Sequence, residues 1–214
     1  MSLLAAFPLG TAYLPGEAVI LRVFEPRYLA LLRDTQSASN TFVTVLIEAG
    51  SEVGGGEKRF DSGVIVAIDH VAPAEFGFQL FAHAEAPVDI VCWNDDLEYP
   101  RAETRQQPTE IASARAARQV LDDIAVDIRI LVKRVAELGL SGGDFSHIDA
   151  LLGLPDTDMT EADLWATFWR LASLVPCTPL DKYEFLCPGI LEARGQRVRE
   201  SIAHMNDLLT FRYG

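Results

Sequence analysis

The residues best equipped for chemistry are Glu25, Arg27 and Tyr28, an acid, a cation and a phenol within four positions of "VILRVFEPRYLALLRD". Such a group could act as an acid and base, hold a peptide at a corner, or turn a strand into a helix. Acid–base work needs a reacting partner within hydrogen-bond reach. The remaining reactive residues do not supply one. Cys92 shares an alternating strand face with Val88 and Ile90, so a buried, inert thiol is expected. His70, His83, His147 and His204 show neither HExxH nor any pair four apart, the spacing that aims two imidazoles at one ion. His70 continues the apolar face of its strand and is expected as a hydrogen-bonded core histidine.

Other motifs are equally bare. "GSEVGGGEKRF" (residues 50–60) lacks the Gly-Lys-Ser/Thr of a phosphate loop and is expected to be a turn between strands. Asp95-Asp96 and Asp122-Asp123 are adjacent pairs, and adjacent side chains do not converge on one point, so both are expected to be solvated. The expectation is a protein without catalytic centre, cofactor or metal.

Composition narrows the partners. The chain has 214 residues, 49% hydrophobic and 23% charged, which is ordinary globular composition. Its net charge is -13, with 7 Lys/Arg against 15 Asp/Glu over residues 1–107 and 11 against 16 over residues 108–214. Nucleic acids and anionic membranes both select for Lys and Arg, so neither is expected as a partner. Three cysteines without CxxC spacing point to a reducing cytoplasm. The opening "MSLLAAFPLG" has no basic start and is cut by Pro8, unlike a signal peptide or an anchor.

The elements that must position these side chains fall into two regions. From residue 7 to about 93 the apolar pattern has a period near two, broken by Gly and Pro. "FVTVLIE", "GVIVAIDHV", "FGFQLFAHA" and "VDIVCW" are the clearest strands, with Val64, Val66 and Ile68 on one face and Phe76, Phe78 and Leu80 on another. A small, closed or nearly closed, mostly antiparallel β unit with one short helix is expected over 1–107. "NDDLEYPRAETRQQP" (94–108) is polar, holds two prolines, and reads as the linker.

Residues 108–214 read as a helical bundle. Ile111, Ala114, Ala117, Leu121, Ile124, Ile128, Leu131, Val135 and Leu138 recur at three- and four-residue steps, predicting a long helix that ends near Gly139. Its opposite face, with Arg118, Asp122, Asp123, Arg129, Lys133 and Arg134, is mixed in sign and expected in solvent. Ser146 with Asp149 and Thr160 with Asp163 have the spacing of capping boxes, and Thr178 precedes a Pro179 suited to a first helical position. Leu191, Val198, Ile202, Met205 and Leu209 mark the face of a last helix. Trp165 and Trp169 share a helix face, for which bundle core is the first reading and a grip on an apolar peptide the second.

Residues 7–34, "FPLGTAYLPGEAVILRVFEPRYLALLRD", resemble the opening of the LON N-terminal domain, the substrate-binding module of ATP-dependent Lon proteases that also occurs as free-standing bacterial proteins. Phe7-Pro8-Leu9, Pro15-Gly16 and Phe24-Glu25-Pro26-Arg27-Tyr28 carry the resemblance. "EVGGGEKRFDSGVIVAI" is similar to the family's next strand pair, and "LVPCTPLDKYEFLC" with the Arg-rich last helix to its helical tail. The resemblance implies a PUA-like β pseudo-barrel followed by a helical bundle, an α+β protein. It also implies polypeptide binding without the nucleotide-hydrolysing and Ser-Lys proteolytic domains of a complete Lon protease.

The expected partner is therefore an apolar or unfolded polypeptide segment, held in a cleft between β unit and bundle. A scaffold for one folded partner is the alternative. Arg27, Tyr28, Trp93, Trp165 and Trp169 are the candidate contacts. Phe7, Pro8, Leu9, Pro15, Gly16, Phe24, Glu25 and Pro26 are expected to be architectural, with Pro26 opening a helix and Arg27 paired to Glu25 or a backbone carbonyl.

Overall fold

The computed structural model describes residues 1–140, 150, 152–153 and 158–213. It divides into two compact units, Met1–Gln107 with Leu186–Pro188, and Pro108–Phe185 with Gly189–Gly214.

The first unit is a closed sheet. Strands β1 (Ser2–Leu9), β2 (Ala18–Val23), β3 (Thr41–Ala49), β4 (Lys58–Pro73), β5 (Phe78–Asn94) and β6 (Arg101–Gln106) pair in the order β2-β5-β4-β3-β1-β6. A further β5–β6 pairing returns the sheet to itself, so β5, β4, β3, β1 and β6 form a barrel with β2 added along β5. Only β1 and β3 run parallel. β5 can serve both neighbours because it is long: residues 78–83 face β2, and residues 88–94 face β6.

β6 corrects the expected linker. Arg101–Gln106 lies inside the polar stretch, yet Ala102 and Thr104 alternate inward and are buried. Pairing to β1 and β5 satisfies the strand's main chain on both edges, so polar outward side chains cost little. Local composition could not show this.

Two core clusters occupy opposite faces of β1 and β3. Phe7, Leu9 and Phe42 join Val64, Val66, Leu80 and the helix residues Tyr28, Leu31 and Leu32. Ala6, Val43 and Val45 join Val88, Ile90 and Ala102, with Trp93 packed against them. Helix α1 (Pro26–Ser37) starts as the sequence predicts, with Pro26 in the first turn, where its missing N–H breaks no bond.

Two β-bulges reverse expectations about single residues. The β4–β5 register shifts between Ile68 and His70, and the β5–β6 register shifts between Ile90 and Cys92. One extra residue changes which face the next side chain takes. His70 and Cys92, both expected inside, are exposed. Phe76 is likewise exposed, because Gly77, at φ 80°, turns the chain just before β5 begins, and Phe78, though on the same face of β5 as buried Leu80, is 39% exposed at the end of the strand.

The second unit contains α2 (Ala114–Glu137), α3 (Glu161–Ser173), α4 (Pro179–Leu186) and α5 (Leu191–Tyr213) among its described residues. α2 buries Ala117, Leu121, Ile124, Ile128 and Leu131, the predicted stripe. α5 runs parallel to α2. Gly195 meets Val120, Arg199 bonds Asp123 and Asp127 at 3.1 and 2.7 Å, and Arg134 bonds Thr210 at 2.7 Å. Part of the face expected in solvent therefore ties two helices together.

The Thr160–Asp163 capping box is present, and Thr178 forms a similar reciprocal pair with Asp181. The Ser146–Asp149 box and His147 lie outside the described residues. No described helix is long and apolar enough to cross a membrane.

Candidate functional site

Trp165 and Trp169 answer one question directly. They are 4% and 6% exposed, packed with Phe168 and under the buried Arg194 guanidinium, whose carbon sits 5.4 and 5.3 Å from the two ring centres. Arg194 also donates to the carbonyls of Gly189 and Phe185 at 3.0 and 3.1 Å. The pair is bundle core, and the expectation that it grips a peptide is corrected by this burial.

Arg27, Tyr28 and Trp93 gather instead on the β unit. Arg27 stands in the first turn of α1, where Nε donates to Glu25 Oε2 at 3.2 Å and Nη2 donates to the Glu52 carbonyl at 2.7 Å. It makes both pairings that the sequence left open as alternatives. Its guanidinium also lies 4.3 Å from the centre of the Tyr28 ring, a cation–π contact. Tyr28 stacks on Phe7 with centroids 3.9 Å apart, so the two ends of the sequence signature meet in one core contact. Burial pushes the Tyr28 hydroxyl up to about 12, chiefly by desolvating the phenolate.

The residues that complete the site come from the loop and strand that follow. Glu57 is buried between two cations: Arg59 Nε lies 2.9 Å from Oε1, and Arg27 Nη1 lies 3.9 Å from Oε2. Arg59 also reaches Asp95 at 3.0 Å and covers the Trp93 ring at 4.6 Å. Nothing in the sequence marked Glu57 or Arg59, because the β3–β4 register shifts that set their place are not local properties.

Two grooves flank loop 50–57. One, of about 550 Å³, is lined by Arg27, Glu57, Arg59, Trp93 and Tyr99 among others. Tyr99 there donates to Asp34 at 2.9 Å, and that hydrogen bond holds the Asp34 carboxyl below its usual range. The other, of about 280 Å³, runs beside β2 and is lined by Ile20, Phe24, Tyr28, Glu52 and Val53 among others. Ile20, Phe24 and Val53 are 56%, 51% and 58% exposed, large apolar side chains facing a groove. β2 pairs with β5 alone, so its second edge is unpaired among the described strands.

This geometry can hold an extended, apolar chain: an open strand edge supplies main-chain hydrogen bonds and the adjoining groove supplies contact surface. Residues 4–204 match the family model for the ATP-dependent protease La (LON) substrate-binding domain. The chain belongs to that family.

Solved LON domains share the fold. A Lon N-terminal domain protein from Xanthomonas campestris superposes with a TM-score of 0.63 at 20% identity, covering 92% of this chain and 97% of its own. The N-terminal domain of the Lon protease of Mycobacterium avium complex gives 0.68 at 16% identity, covering 94% and 98%. No curated protein matches. The α+β architecture, a closed β unit followed by helices, is thus the LON N-terminal fold, as the resemblance of residues 7–34 implied.

Proposed function

We propose that this LON domain is a non-catalytic polypeptide-binding module that takes extended apolar segments on its β unit, along β2 and the groove beside it. The observation that carries the reading is the exposure of Ile20, Phe24 and Val53 in a groove bordered by an unpaired strand edge. Exposed aromatic and aliphatic side chains that converge on one concavity are the usual anchors of a binding surface. Family membership supports the same conclusion, since the family is named for substrate binding.

Arg27 and Trp93 line the neighbouring groove, and Tyr28 lines the groove beside β2. The net charge of -13 favours neutral or basic segments over acidic ones by long-range attraction. A peptide array that pairs apolar segments with composition-matched polar ones tests the proposal. Retention of the apolar, non-acidic members is expected. Equal retention of all members, or capture of one folded partner with no peptide bound, contradicts it.

A further inference from the structure

Two residues in contact with Arg27 carry a buried polar atom without a hydrogen-bond partner among the described residues. They are Tyr28, with Oη, and Glu57, with Oε2, 3% and 7% exposed respectively. Buried polar groups are nearly always hydrogen-bonded, so two unsatisfied ones beside one arginine call for a reason. Because burial holds the phenol protonated far above neutrality, Tyr28 offers a donor. Glu57 Oε2, facing the Arg27 guanidinium, offers an acceptor. One donor with one acceptor complements a polypeptide main chain, in which each residue brings a carbonyl and an N–H.

The loop that meets Arg27 is weakly held. Residues 50–56 of the loop are all exposed and include Gly50, Gly54, Gly55 and Gly56 at φ 108°, 98°, 79° and 77°, whereas Glu57 at its end is buried and paired to Arg59. No atom would lie within 4 Å of a side chain at Gly54 or Gly56. Its ties to α1 are the Glu52 carbonyl on Arg27 at 2.7 Å and the Gly54 N–H on Glu25 at 3.4 Å; a third tie joins the Glu52 carboxylate to the Gly10 N–H. Few buried contacts and solvent-exposed hydrogen bonds mark a segment of low local stability. Residues 50–56 also separate the two grooves, contributing Glu52 and Val53 to one and Gly56 to the other.

We propose that Tyr28 Oη and Glu57 Oε2 form a main-chain-reading subsite, reached when residues 50–56 lift from Arg27, with Glu57 staying in place, and join the two grooves into one channel for an extended polypeptide. This rests on the polypeptide-binding reading above. Side chains of the bound segment meet Ile20, Phe24 and Val53, while the subsite recognises the backbone that every client shares. Binding is then selective for extended conformation and permissive in sequence.

The test uses the full chain and an apolar peptide from the array, measured by calorimetry. Tyr28→Phe deletes only an unpartnered oxygen and is expected to fold as the wild type does and to bind about tenfold more weakly, the loss of roughly one hydrogen bond. Glu57→Gln should weaken binding similarly. A peptide with an ester in place of the contacted amide should bind the wild type more weakly and lose less on Glu57→Gln than the amide peptide does. Peptide should also speed hydrogen exchange at the Gly54 amide.

Tyr28→Phe with unchanged melting and unchanged affinity overturns the subsite, whether or not Glu57→Gln folds, and leaves the polypeptide-binding reading standing. Unchanged exchange at Gly54 overturns the lifting loop. A wild type that binds no peptide overturns both readings together.

Discussion

Phe7 and Tyr28 stack with their ring planes 11° apart and centroids 3.9 Å apart, joining the end of β1 to the first turn of α1. The contact explains why Phe-Pro-Leu and Glu-Pro-Arg-Tyr occur together in one chain: each supplies half of a packing pair. Phe7→Ala or Tyr28→Ala should lower stability by about 3–5 kcal/mol, the usual loss for a large buried aromatic. Tyr28→Phe keeps the ring and removes a hydroxyl with no partner, so it should change stability by less than about 1 kcal/mol. Urea denaturation of the three variants checks both values.

Glu57 makes a second demand on the fold. Its side chain is almost wholly buried between Arg59 and Arg27, and Arg59 alone approaches within hydrogen-bond distance. Removing one partner of a buried ion pair costs about 3–5 kcal/mol, because the other charge is left in low dielectric. Arg59→Met should therefore destabilise strongly. The double variant Arg59→Met with Glu57→Leu should recover much of the loss. Equal melting temperatures for wild type and the single variant would contradict this account of the pair.

Gly195 permits the approach of α5 to α2. A β-carbon there would lie 2.2 Å from Val120 Cγ1, and valine in a helix is held to one side-chain rotamer. Gly195→Ala gains about 1 kcal/mol of helix propensity, yet overpacking costs about 1–3 kcal/mol, so a net loss is expected. Val120→Ala on that background should restore stability. If Gly195→Ala alone stabilises the protein, the two helices are less closely packed than described.

Alkaline titration tests the environment of Tyr28. Its folded value is raised to about 12 from the ordinary 10, so the unfolded chain loses this proton first. The contribution is therefore fully present below pH about 10 and is lost as pH rises towards about 12. The urea midpoint should fall across that window, and fall less steeply in Tyr28→Phe. Tyr13 and Tyr99 are also raised, mainly by burial, and contribute to the slope that remains.

Much of the fold is legible in the sequence because it is written in periodicity. The α2 stripe and the Thr160–Asp163 box are local patterns, and local patterns survive folding. Pro26 at the head of α1 is a third case. What depends on distant partners was not legible. β6 is a strand because β1 and β5 flank it, and not because of its composition.

His70 and Cys92 were misplaced by single bulges, which shift side-chain parity without a mark in the residues themselves. The site shows the same division. Arg27 and Tyr28 stand out as a motif, whereas Val53 and Glu57 belong to a glycine-rich turn, and Arg59 to the start of β4, whose positions beside α1 are set by tertiary contacts.

The central claim is that an extended apolar polypeptide lies along β2 and the grooves around loop 50–57. Photo-crosslinking of an apolar peptide to the full chain, read by mass spectrometry, tests it most directly. The account predicts adducts within residues 20–28, 52–59 and 93–99, suppressed by Phe24→Asp and absent with a polar control peptide. Adducts concentrated on residues 114–213, or equal labelling by the polar control, would contradict it.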